Sequence, residues 1–108
     1  AYYKTPRGYH ARSLNSNDGW TAIGCESFVN FPLNVYADEI ENAVMIVHGD
    51  AAHSFYFGKD TYDQLAHGVN PANKELVVVE GANHTDLYDQ VDIIPFDTIT
   101  EFYRKYLA

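Results

Sequence analysis

The chain predicts an α/β fold: two parallel strands with flanking helices, in the order strand-helix-strand-helix, after a loop-rich N-terminal segment. Three observations carry this. The runs "NAVMIVHGD" and "KELVVVEGA" are short, rich in Val and Ile, and apolar on both parities, which is how strands buried on both faces read. Between them, Tyr62, Leu65, Ala66 and Val69 recur at i, i+3, i+4 and i+7, one face of an amphipathic helix. A strand-helix-strand order of this size pairs its strands in parallel through a right-handed crossover.

Each element has its own signals. Residues 1–20 read as loop, with turn chemistry at Pro6, Gly8 and Asn17-Asp18-Gly19. The aromatics there, Tyr2, Tyr3, Tyr9 and Trp20, need a surface to pack on. Residues 21–41 carry Ile23, Phe28, Phe31, Val35 and Ile40 at roughly helical spacing. Pro32 interrupts any continuous helix, so one or two short helices are expected. From residue 43 to 108 the βαβα unit follows. In "KDTYDQLAHGV", Asp60 is expected in the first helical turn, where the dipole favours a negative charge. Gly68 and "NPAN" stop that helix. In "IPFDTITEFYRKYLA", Pro95 suits a helix start. Phe96, Ile99, Tyr103 and Tyr106 form the apolar stripe, and Arg104 and Lys105 sit near the C-terminus, as the dipole prefers.

Composition narrows the partners. With 108 residues, 46% of them hydrophobic, the chain suits one small domain or part of a larger one. A formal net charge of −8 disfavours nucleic acid and anionic membranes, which need clustered Lys and Arg. No apolar run approaches the roughly 20 residues of a membrane helix. No charged-then-apolar leader opens the chain, so a cytoplasmic location is expected. The lone Cys25 provides no disulfide framework and reads as a small buried hydrophobe. Two parallel strands leave both sheet edges open. The chain also opens at Ala1 in irregular, aromatic-rich sequence. Both features suggest the C-terminal part of a larger domain, or a chain that pairs with another.

Chemistry in open α/β sheets collects at the carboxyl ends of the strands. After the first strand come His48, Gly49, Asp50, Ala51, Ala52, His53 and Ser54; after the second come Glu80, Gly81, Ala82, Asn83, His84, Thr85 and Asp86. Parallel strands place both turns at one end, so a carboxylate and a histidine can meet there. An acid that orients an imidazole is two thirds of a Ser-His-Asp arrangement. The plainer alternatives are a backbone-bonded turn histidine at His84 and a turn former at Asp50. His48 ends a strand and reads as structural. His53, Ser54, Asp50 and His84 show none of the His-x-x-x-His or Cys-x-x-Cys spacings of zinc sites, so no metal is expected. Ser54 lacks the strained elbow of a nucleophile. Arg7, Arg12 and the nearby tyrosines either line a pocket or cover the sheet.

"VMIVHGDAAHS", "KELVVVEGANHTDLYD" and "FYRKYL" together resemble the C-terminal portion of an α/β-hydrolase, of the dienelactone-hydrolase-like and peptidase-like bacterial branch. The resemblance covers about residues 20–108 and is most specific in the second half. It implies that Gly81-Ala82-Asn83-His84 is the turn carrying the catalytic histidine, and that the acid follows the His-Gly strand end. Many members place that acid three residues after the Gly, where this chain has Ala52. Asp50 is the nearest carboxylate and the candidate acid. Asp86 is a second candidate, though it also suits capping the following turn. His53 stands near a position where some members carry Asp. The family's Gly-x-Ser-x-Gly elbow is missing; "GCESF" does not match it, because Phe28 and Val29 follow Ser27. The resemblance therefore implies a part of a serine hydrolase that supplies the catalytic residues His84 and Asp50, with the serine outside the chain and no activity by the triad route from this piece alone. It implies no cofactor. The implied partners are a small ester, thioester or amide substrate, and either the N-terminal remainder of the domain or a second copy. The alternative is a non-catalytic α/β module that self-associates through its sheet edge.

Overall fold

A computed structural model describes residues 2–13 and 21–107. The chain divides into two compact units, residues 1–32 and 33–108.

In the first unit, Tyr2–Lys4 forms a 3-10 turn inside the segment expected to be loop. The Tyr2 and Tyr3 rings meet edge to face at 5.1 Å, and the Arg7 guanidinium lies over Tyr2, 5.1 Å from its centroid. Trp20 and the Asn17-Asp18-Gly19 turn lie outside the described residues. Helix α1, Ala22–Val29, ends before Pro32, because the residue ahead of a proline is pushed out of helical geometry. It buries none of its residues, and Cys25 is half-buried rather than buried.

The second unit is the expected βαβα arrangement. Strand β1, Val44–Gly49, pairs in parallel with β2, Lys74–Val79, in the register Val44↔Lys74 to Gly49↔Val79. Helix α2, Phe55–Ala66, packs on both strands. It starts earlier than the apolar stripe suggests, which leaves Asp60 in mid-helix and no acid in the first turn. Packing explains the extension. The Phe55 ring contacts His48 at 5.6 Å. Gly58 lies so close to the strand that an added Cβ would sit 3.0 Å from the His48 ring. Tertiary contact here overrides weak helix propensity.

A 3-10 turn at Ala37–Glu39 precedes β1. It is tied to the end of α2 by the Val69 N–H, which donates to the Asp38 carbonyl at 2.8 Å. A short helix α3, Asp86–Asp89, occupies what reads as loop in the sequence. Helix α4, Phe96–Leu107, closes the unit with Arg104 and Lys105 in its last turn. Lys105 donates to Glu75 of β2 at 3.3 Å. Because side chains alternate across a strand, Glu75 faces away from the Ile46 and His48 side that α2 covers. The Lys105 ammonium is held above its usual range by the neighbouring Tyr106 and then by Glu75.

The core is small. Among the described residues, only Ala37, Ala52, Leu65 and Ala82 are buried hydrophobics. Lys74 is also buried, at the amino end of β2. Its ammonium donates to the Asn42 carbonyl at 2.8 Å, the Asn70 carbonyl at 3.1 Å and the Asn73 side-chain oxygen, which uses all three of its protons. Asn70 and Asn73 in turn both donate to the Glu41 carbonyl. One side chain thus binds the entry loops of both strands. Replacing it in Lys74→Met keeps the apolar stem and strands those acceptors. The expected cost is about 1–3 kcal/mol, read by urea unfolding; an unchanged midpoint would show that the network contributes nothing.

Candidate active site

The site lies at the carboxyl ends of the two strands. There β1 and β2 are locked together beyond their ladder. The Asp50 N–H donates to the Val79 carbonyl at 3.3 Å. Gly49 is buried against the backbone of Ala82, so close that a Cβ would fall 2.1 Å from the Ala82 carbonyl oxygen. Gly81 holds φ at +72°, a left-handed conformation that suits glycine. From that turn its N–H donates to Asp50 Oδ1 at 2.7 Å.

The turn ends in a reciprocal brace. The Asp86 N–H donates to the Asn83 carbonyl at 3.1 Å, and the Asn83 N–H donates to Asp86 Oδ2 at 2.8 Å. Gln90 donates to Asp86 Oδ1 at 2.7 Å. Asp86 thus serves the turn and the start of α3.

His84, exposed between these braces, has both ring nitrogens engaged. Nδ1 is 2.8 Å from Ser54 Oγ, and Nε2 is 3.0 Å from the Tyr88 hydroxyl. The His53 ring lies 5.3 Å away, centroid to centroid. Ser54 occupies the N-cap position of α2, but with φ −93° and ψ 4° and no side-chain cap bond. A capping serine normally has extended backbone and bonds the first-turn N–H groups. This one leaves them and faces His84.

The structure brings Asp50 and His84 to one end of the sheet, but not into the contact expected from a triad. The Asp50 carboxylate bonds the histidine's turn, while Ser54 takes the ring nitrogen. The physical reason is the left-handed Gly81, which presents an N–H to Asp50. Sequence reasoning missed two partners of the ring. Ser54 reads in the sequence as a weak nucleophile or metal-ligand candidate, with no signal for a contact to the imidazole 30 residues away. Tyr88 carried no helical signal, because His84 lies in the turn before α3. His48, expected to be structural, bonds within its own strand end: its Nδ1 donates to the Gly49 carbonyl at 3.1 Å. No cluster of three His, Cys, Asp or Glu among the described residues is arranged to hold a metal. No described helix is long and apolar enough to cross a membrane.

Fold and site together define a mixed α/β arrangement with two parallel strands and a histidine turn at their carboxyl ends. The chain is similar to the uncharacterized protein PA2218 of Pseudomonas aeruginosa, with 46% identity over 107 residues, 98% of this chain and 28% of that protein. The crystal structure of hypothetical protein PA2218 matches with a TM-score of 0.79 and 44% identity, covering 97% of this chain and 32% of that one. The chain therefore spans less than a third of the length of this relative. No protein-family model matches it.

Proposed function

We propose that this chain is the histidine-bearing part of a serine hydrolase acting on a small ester, thioester or amide, with the nucleophilic serine outside residues 1–108. The observation that carries the reading is His84: an exposed imidazole at the carboxyl end of a strand, with hydroxyl groups on both nitrogens and its turn pinned to the end of the neighbouring strand. In the reaction, the serine hydroxyl adds to the acyl carbonyl as Nε2 takes its proton. The imidazolium then returns that proton to the departing alcohol, thiol or amine, and water releases the acyl group by the same route. Tyr88 occupies Nε2 until the serine does. Asp50 is a positioning residue that acts on the ring through Gly81.

The test is a fluorophosphonate serine probe on the full-length protein, with the adduct located by mass spectrometry. An adduct on a serine outside this chain is the expected result. An adduct on Ser54 would overturn the placement of the nucleophile.

A second reading has its own observation. The strands are only partly buried, Val78 is 46% exposed, and the outer strand edges are unpaired among the described residues. These features suit a non-catalytic module that self-associates along its sheet edge. That reading expects no probe adduct and a concentration-dependent dimer.

A further inference from the structure

We infer that Ser54 is a positioning residue for His84: it accepts a hydrogen bond from Nδ1–H and so holds the ring in the tautomer whose Nε2 is unprotonated and can act as base. The inference rests on the hydrolase reading for its effect on turnover, but the tautomer can be measured without it.

With one proton on the ring, two hydrogen-bond patterns fit the distances of 2.8 Å to Ser54 and 3.0 Å to Tyr88. In one, Nδ1–H donates to Ser54 Oγ and the Tyr88 hydroxyl donates to Nε2. In the other, both directions reverse, and Ser54 would give its proton to the ring as a nucleophile does. Chemistry separates them. A phenol is a stronger proton donor than an alkyl hydroxyl, so the Tyr88 O–H belongs on the basic nitrogen and the Ser54 oxygen on the N–H. Backbone geometry agrees. A nucleophilic serine sits at the sharp turn directly after its strand, whereas Ser54, at φ −93° and ψ 4°, lies five residues beyond the end of β1 at Gly49. Its hydroxyl is not used as a cap, so its bond to His84 competes with no helix contact.

A free imidazole favours the Nε2–H form, so holding the other tautomer requires an acceptor at Nδ1. In the Ser-His-Asp arrangement a carboxylate does this. Here the carboxylate of Asp50 is on Gly81, and Ser54 stands in that place.

The experiment is imidazole ¹⁵N NMR on the full-length protein labelled at histidine, with His84 assigned by loss of its signals in His84→Asn. The parent and Ser54→Thr should show a protonated Nδ1 and an unprotonated Nε2. In Ser54→Ala the population should move toward Nε2–H. A protonated Nε2 in the parent, or an unchanged Nδ1–H in Ser54→Ala, overturns the inference. With p-nitrophenyl acetate as the probe, Ser54→Ala should lose kcat by up to roughly 10⁴-fold, the scale seen when a triad histidine loses its orienting partner, with KM unchanged and recovery in Ser54→Thr. A loss of about 10⁶-fold, the scale of a missing nucleophile, would overturn it as well. A parent without esterase turnover would remove the proposed function, while the tautomer would still decide the role of Ser54.

Discussion

Replacing His84 with Ala in the full-length protein should lower ester turnover roughly 10⁴- to 10⁶-fold, the range seen when a triad loses its base. His53 is the nearest imidazole, but its contact with His84 is ring against ring, not one between ring nitrogens. The loss should appear in kcat, because the base acts only as the proton moves. Stability should change little, within about 0.5 kcal/mol, since His84 is exposed and its partners can bind water instead. Retained turnover would sink the assignment. Asp50→Asn is the informative companion. The amide keeps an oxygen for the Gly81 N–H and removes only the charge. With Ser54 on Nδ1, its expected loss is smaller than the roughly 10⁴-fold seen when a triad loses its orienting carboxylate. A loss equal to that of His84→Ala would instead put the carboxylate on the ring during turnover.

Gly49→Ala should damage fold and site together. The added methyl would lie 2.1 Å from the Ala82 carbonyl oxygen and 2.8 Å from its Cβ, and the first of these partners is backbone that no rotamer change can move. Either β1 or the histidine turn must shift. Overpacking of this kind costs about 1–3 kcal/mol. The turn is the less regular element and gives first, which carries His84 away from Ser54. A displacement of about 1 Å at a reacting group can cost 10²-fold in rate. Denaturant unfolding and turnover measured on one preparation should therefore fall together. A variant with parent-like stability and rate would show that the end of β1 does not rest on this turn.

Much of the architecture is legible in the residues. The doubly apolar runs around Val44–Gly49 and Lys74–Val79 identify the strands, because they lack the polar alternation of a one-faced strand, although most of their residues are only half-buried. Pro32 ends α1, and the stripe of Leu65 and Ala66 marks α2. The start of α2 is not legible, because Phe55 and Gly58 are helical for what they meet on β1. Nor is α3, whose four residues are too few to show a period. His84 is legible as a candidate, because a histidine just past a buried strand falls where α/β sheets bind ligands.

The sequence by itself determined the α/β class, the parallel pairing and the end of the sheet where His84 and Asp50 gather. Those follow from burial and connectivity, which hydrophobic spacing records directly. Only the tertiary structure decided which groups touch. A left-handed Gly81 turned its N–H to Asp50, and the unextended backbone at Ser54 released a hydroxyl to Nδ1. Both outcomes depend on backbone angles set by packing between the two strand ends, and no residue spacing encodes them.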